Sequence, residues 1–297
     1  MNCLILKKMK KQKILDIVLK RLIILAFLNI VIASQAQDQD TASRPVTGVY
    51  SIEIGRTSVE ATYLSPLTYT GNQAAVSGSW SKALPFNPRH AVMQFDGYMN
   101  FNNILNPAKT ARMVGLNAGF SWDMSWRKRL TNDFQITAGG GFDLSGGAYY
   151  LLRNSNNPVQ AMANFSLMLT ASVSKHFMIG KLPVLISDRV KLPSLGMFFC
   201  PDYGETYYEI YLGNHKGLVH AGWWGNNFRI DNLLKVTLDF GRTAMTVGYR
   251  ITAYNQWANN LNTKIVTNYF VIGVIPGGIG LKKHYKDIPE NKIYSIY

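Results

Sequence analysis

The sequence predicts an all-β fold, an antiparallel up-and-down transmembrane β-barrel of roughly 10–12 strands. Three observations predict it. Apolar and polar residues alternate with period two over runs of about 11 to 13 residues. The polar set in those runs is small and mostly neutral. Tryptophan and tyrosine fall toward the ends of the runs, where a bilayer's interfaces would lie.

Bulk composition agrees with this class. The chain has 297 residues, of which 47% are hydrophobic and 12% aromatic but only 16% charged, against about 25% charged in an ordinary soluble domain. The formal net charge of +14 overstates the basic character of the body. Seven bases (Lys7, Lys8, Lys10, Lys11, Lys13, Lys20 and Arg21) and one acid, Asp16, precede residue 22, leaving 24 bases and 16 acids beyond it. Those bases are scattered, with no basic helix and no arginine-rich run, which excludes nucleic acid as a partner.

Residues 1–36 read as a signal peptide. A basic stretch is followed by the uncharged apolar run Leu22–Ala33 and then by Ser34-Gln35-Ala36-Gln37, with small residues at −3 and −1 for a cut after Ala36. Twelve apolar residues are too few for a spanning helix, which needs about 20. Met9 offers a second start. Cys3 would leave with the signal, so Cys200 is the one thiol of the exported chain and forms no internal disulfide. Residues 37–47 read as an N-terminal periplasmic segment, 48–281 as the barrel and 282–297 as a charged tail ending in Tyr297.

Within the barrel, Ala91, Met93, Phe95, Gly97, Met99 and Phe101 face away from His90, Gln94, Asp96 and Asn100. From Val114 to Trp126 every even position is apolar and every odd one is Gly, Ser, Asn or Asp. Phe134 to Ser145 repeats the pattern. Ala163 to Val173, Leu234 to Phe240 and Met245 to Ala253 follow it. Weaker strands fit around 48–55, 73–82, 182–199, 206–224 and 264–275. Turn signals punctuate the chain at 85–88, 106–107, 129–133, 154–158, 225–227 and 259–262. No helix, repeat or domain linker stands out.

Alternation alone leaves both a lipocalin-like carrier, apolar inside, and a membrane barrel, apolar outside. Run length, the scarcity of Lys and Glu on the polar face, and Trp80, Tyr98, Trp122, Trp126, Tyr149, Tyr150 and Trp257 as girdle residues favour the second. Its lumen is then lined by Asp96, Asp123, Asp143, Lys235, Asp239 and Arg250, which would form either a charged ligand site or an interior filled by salt bridges. In the stretch His215–Phe228, Trp223, Trp224 and Asn226 are candidates for gripping lipid or glycan, or else a girdle and a turn.

No catalytic, cofactor-binding or metal-ligating pattern is present. HExxH, the phosphate-binding loop and paired CxxC are absent. Asp143-Leu144-Ser145-Gly146-Gly147 misses a nucleophile elbow by its Asp. The glycines from Gly139 to Gly147 read as small lumen-facing residues or kinks. His220 is the candidate base of a barrel-wall lipid hydrolase, with no serine partner visible in the sequence.

The segment Tyr63-Leu64-Ser65-Pro66-Leu67-Thr68-Tyr69-Thr70-Gly71 resembles a motif of an uncharacterised family of secreted, barrel-like proteins of Bacteroidetes-type bacteria, known as a domain of unknown function. Tyr203–Ile210, Gly222–Asn226 and Trp257–Thr263 are similar to it as well. The resemblance implies fold and address alone, because the family has no established catalytic residue. The expectation is a Gram-negative outer-membrane protein, non-enzymatic, acting as a narrow channel, a ligand binder or a structural barrel. Its partners are outer-membrane lipid, the barrel-assembly machinery and an unidentified small-molecule ligand. A membrane-embedded lipid hydrolase or acyl-modifying enzyme and a soluble periplasmic carrier are the alternatives.

Overall fold

A computed structural model describes residues 43–131, 133–155 and 157–279. The signal segment, most of the 37–47 segment and the 282–297 tail lie outside the described residues. Eleven strands follow in chain order: β1 (Thr47–Ala61), β2 (Ser65–Ala83), β3 (Ala91–Leu105), β4 (Arg112–Arg129), β5 (Phe134–Leu151), β6 (Val159–Ile179), β7 (Leu182–Phe199), β8 (Val219–Gly222), β9 (Asn227–Asp239), β10 (Thr243–Ala258) and β11 (Leu261–Pro276). A short helix, α1 (Tyr207–Tyr211), lies between β7 and β8.

Each strand pairs antiparallel with its neighbours, and β1 pairs with β11 from Tyr50↔Val274 to Ala61↔Thr263, which closes the sheet. β8 pairs with residues 196–199 of β7 and β9 with residues 184–191, so these two strands are halves of one interrupted stave. The barrel therefore has ten staves and no free edge, the condition for a sheet that cannot hydrogen-bond to its surroundings.

Side-chain direction follows the alternation. Leu167 is 57% exposed on the outer wall and Phe120 38%, beside outward Phe101, Leu116, Leu144, Phe165 and Leu169. Glu53, Asn102, Ser121, Asp123 and Thr170 are buried on the inner wall. An outer aromatic ladder runs through Phe120, Phe142 and Phe165, with ring centroids 6.1 and 6.3 Å apart. A lipocalin-like arrangement would have put these rings inside. Two girdle assignments need correction: Tyr98 and Tyr149 point inward, Tyr98 under the Arg250 guanidinium and Tyr149 into a buried apolar cluster. Each shares the parity of inward Asp96 and Asp143, and parity outranks residue type in setting which face a strand residue takes.

The staves outrun their apolar band. On β1 the outer residues pass from Tyr50, Ile52 and Ile54 to Arg56, Ser58 and Glu60, and Glu60 lies 3.8 Å from Lys264 of β11. This polar skirt is at the end carrying residues 200–218. The ends of β1 and β11 nearest the chain termini lie at the opposite end, among short connections. The hairpin Asn259-Asn260 joins β10 to β11 with both residues at positive φ, 51° and 57°, as a two-residue turn between twisted strands requires.

Inside, residue type changes with height. Polar side chains fill the middle, but Val59, Ala61, Leu64, Tyr69, Ile104, Met113 and Leu151 pack together at the polar-skirt end. Val49, Leu185, Ala244, Ile275 and Ile279 do so near the termini. Of the 206–224 segment only Val219–Gly222 is a strand, β8; turns and α1 make up the rest. Gly204, Gly213 and Gly217 take positive φ there. Thr206 and Glu209 form a reciprocal capping box that starts α1. Of the glycine run, Gly141 sits where an added Cβ would stand 1.8 Å from the Trp122 carbonyl oxygen, so a close approach of β4 and β5 requires glycine.

Candidate functional site: a bridged lumen between two chambers

Charged side chains from opposite walls meet in the middle of the barrel. Arg189 on β7 places Nη1 2.9 Å from Asp96 Oδ2 of β3 and pairs through Nη2 with Asp123 of β4. Lys191 Nζ stands 2.6 Å from the same Asp96 oxygen and donates to Ser121 Oγ at 3.0 Å. Since β5 and β6 separate β4 from β7 along the wall, these contacts cross the interior rather than follow it. Arg229 on β9 reaches Asp143 of β5 at 2.6 Å and donates to Ser145 and Ser166 at 2.9 Å. Arg250 on β10 clasps Asp231 through Nε and Nη2 at 2.8 and 2.5 Å and Glu53 of β1 through Nη1 at 2.9 Å. Such forked, charge-assisted contacts fix both position and orientation.

This belt divides two cavities. Glu53, Asp96, Tyr98, Lys191, Asp231 and Arg250 border both. The chamber toward the polar skirt has a cavity volume of about 160 Å³ and walls of amides and phenols, including Asn100, Asn117, Tyr149, Tyr254 and Tyr269. The chamber toward the termini has a cavity volume of about 160 Å³ and walls rich in hydroxyls, with Ser77, Ser79, Ser125, Thr137 and Ser187 among them. Above the first chamber, Gln160 of β6 donates to Thr263 of β11 at 2.8 Å, a second bridge across the interior.

The candidate lumen residues take different places. Asp96, Asp123, Asp143 and Arg250 belong to the bridges. Lys235 lines the terminus-side chamber. Asp239 is buried at the end of β9, lines neither chamber, and accepts from the Gly241 N–H at 2.8 Å. Glu53, Arg189, Lys191, Arg229 and Asp231 complete the belt and were not among the candidates. Their signal was inward parity on β1, β7 and β9, obscured on β7 by a bulge. There Leu167 pairs with Leu195 and Met168 with Pro193, leaving Ser194 unmatched. The phase then switches: Arg189 and Lys191 face in before it, Phe198 and Cys200 after it.

The outer-wall candidates sit at the matching break between β8 and β9. Trp223 and Trp224 are exposed. Trp224 Nε1 donates to the Pro193 carbonyl at 3.0 Å. The Asn226 side chain is spent on the turn, accepting from Trp223 N at 2.9 Å and donating to Ala221 O at 2.9 Å. The segment following β7 lies across the barrel mouth: Tyr63 donates to Glu205 O and the Ala161 N–H to Tyr207 Oη, both at 2.6 Å. Burial, and then the neighbouring Tyr207 and Glu205, push the Tyr63 phenol up to about 12. His220 stacks on Phe198 and its Nε2 contacts the Cys200 carbonyl at 3.2 Å. No serine hydroxyl of the described residues engages it. No group of three or more potential metal ligands occurs among the described residues.

A family described as "Protein of unknown function (DUF3316)" matches residues 20–284. The chain belongs to this family. No protein of curated function matches it. Among solved structures the chain is similar to the outer membrane protease OmpT of Escherichia coli, with 8% identity and a TM-score of 0.45 over 78% of this chain and 96% of that one. It is also similar to the translocator domain of the autotransporter NalP of Neisseria meningitidis, with 8% identity and a TM-score of 0.40 over 87% and 96%. A third is the attachment invasion locus protein Ail of Yersinia pestis, with 7% identity and a TM-score of 0.29 over 76% and 98%.

Proposed function

We propose that this family member is an exported barrel of the outer membrane whose interior is a closed, ligand-holding compartment rather than an open pore. The single observation that carries the reading is the Arg189 bridge from β7 to Asp96 and Asp123 on β3 and β4. An unobstructed channel needs a lumen free of side-chain contacts between opposite walls, and here belt and apolar end clusters occupy it. The outward apolar band supports lipid as the surroundings, because exposing so much apolar surface to water is unfavourable. The signal-type N-terminus supports export. Short connections beside the chain termini and the longest one at the other end support a periplasmic terminus side and an external polar skirt. The outward placement of Leu167 and Phe120 disfavours a soluble carrier, and the engagement of His220 with a backbone carbonyl disfavours a lipid hydrolase.

The test is planar-bilayer recording on the refolded full chain, with heat-modifiable migration confirming the folded barrel. No steady ohmic conductance is expected from the wild type. A stable unit conductance in the wild type would refute the closed interior. Recovery of the native protein in the soluble periplasmic fraction would refute the membrane location.

A further inference from the structure

One lumenal cation stands outside the bridged belt. Lys235 faces the terminus-side chamber, and among the described residues it has neither an ion pair nor a hydrogen bond. The surrounding acids are taken: Asp96 by Arg189 and Lys191, Asp123 by Arg189, Glu53 and Asp231 by Arg250. Register places Ser187 of β7 directly opposite Lys235 on one side and Gly248 of β10 on the other. Opposed residues share a face with Cβ atoms about 5 Å apart. The Ser187 Oγ is buried and lacks a hydrogen-bond partner among the described residues. A Cβ at Gly248 would stand 3.1 Å from the Lys235 Cβ and 2.7 Å from the Leu234 carbonyl oxygen, so the glycine preserves the room the lysine occupies.

An ammonium held off water without a counter-charge is costly, and so is a buried hydroxyl with nothing to bond. Both costs fall when one ligand brings an anionic oxygen between them. The facing wall carries the hydroxyls of Ser77, Ser79, Ser125 and Thr137, already bonded to Glu53, Gln94, Asp123 and Ser172 but with lone pairs left to accept from a ligand's hydroxyls.

We propose that the terminus-side chamber binds a small hydroxylated organic anion, its carboxylate or phosphate group on Lys235 Nζ and Ser187 Oγ and its hydroxyls against the serine wall. The inference rests on the closed-compartment reading, since a ligand retained at this site needs a chamber bounded by the belt on one side and the Val49, Leu185 and Ile275 cluster on the other.

The experiment is calorimetric titration of the full chain, folded in detergent micelles at low salt, with gluconate, inorganic phosphate and uncharged glucose as probes. Gluconate is expected to bind and glucose not to. Binding of phosphate in its place would assign the anionic group as phosphoryl and support the same site. Lys235→Met should weaken the anion about tenfold or more, the worth of one charge-assisted contact. Ser187→Ala should weaken it less, and Lys235→Arg should retain it. The Lys235→Met barrel should unfold no more easily than the wild type, because the substitution removes an unpaired charge. Failure of both anions to bind the wild type, or equal affinity in Lys235→Met, would overturn the site. A barrel that conducts ions yet binds gluconate through Lys235 would overturn the closed interior alone. One that is sealed but binds neither anion would overturn this site alone.

Discussion

Arg189 on β7 holds Asp96 on β3 from the far side of the lumen, with Nη1 and Oδ2 2.9 Å apart, and carries Asp123 on its second terminal nitrogen. Two carboxylates from adjacent strands thus share one guanidinium, with Lys191 added on the Asp96 side. Beyond Arg189, Asp123 accepts from the neutral Ser125 hydroxyl at 3.0 Å, a weaker position than that of Asp96, which holds the Lys191 ammonium at 2.6 Å.

Removing the shared cation should therefore be expensive. Arg189→Ala is expected to cost about 3–5 kcal/mol, the usual loss when one member of a buried pair is deleted and its partner is left charged. Arg189→Met combined with Asp123→Asn should recover a large part, since no stranded charge remains at β4. Urea unfolding of the folded barrel in micelles measures both. A loss under about 0.5 kcal/mol for Arg189→Ala, the size of an ordinary surface change, would show that the bridge does not hold the walls together.

The outer wall makes a separate prediction. Trp80, Phe95, Trp122, Phe142 and Leu167 are successive cross-strand partners from β2 to β6 and form one apolar row. With that row in acyl chains, Leu167→Arg should cost about 2–4 kcal/mol in phospholipid vesicles, whereas Asn268→Arg, on the polar skirt beside Arg56, should cost about 0–1. Equal costs at the two positions in vesicle-folding equilibria would mean that lipid does not meet the row.

These rows were legible in the sequence where the phase never slips. Val114–Trp126, Phe134–Ser145 and Ala163–Val173 alternate without a break, and each is part of a strand with the expected facing. The belt was half legible. Asp96, Asp123, Asp143 and Arg250 lie in clean alternation, but Arg189 and Lys191 lie just before the Ser194 bulge, which moves Phe198 inward and Leu195 outward and so mixes the two patterns. The ends of the lumen misled for another reason. Tyr149, Val59 and Met113 are apolar yet inward, because this end of the interior is filled by apolar packing rather than by polar side chains. Of the 206–224 stretch, expected as one weak strand, only Val219–Gly222 is one; before it the positive-φ glycines and the capping box at Thr206 set turns and a single helical turn.

The bulge itself can be tested through Trp224. Pro193 stands at the register shift, and its carbonyl receives the Trp224 indole N–H at 3.0 Å where β8 and β9 are interrupted. The break in one stave thus satisfies a group exposed by the break in the other. Trp224→Phe keeps the ring but removes the donor, so a loss of about 1–2 kcal/mol is expected. Trp223→Phe, at a more exposed ring, should stay within about 0.5 kcal/mol. Unfolding midpoints of the two variants provide the check, and equal midpoints would remove the Pro193 contact from the account.

Cys200 gives the last prediction. It follows β7 directly, is buried, and keeps its Sγ 3.7 Å from the Pro201 carbonyl oxygen and 3.9 Å from that of Ala258. Burial, with a smaller push from Asp202, raises the thiol from 9.0 to about 11. Burial disfavours the thiolate, and the thiolate is the nucleophile. At pH 8 the folded barrel should therefore resist iodoacetamide, while the urea-unfolded chain, with roughly a tenth of its thiol ionised, should react readily. The sign of the pH effect follows from the same shift. Below the unfolded thiol's value both states hold the proton and stability is unaffected. As pH rises from about 9 to 11 the unfolded chain releases the proton first, so the folded state loses stability across that window. Cys200→Ala should remove that share of the alkaline loss. Alkylation of folded Cys200 at pH 8 as fast as in urea would mean that the thiol is open to solvent.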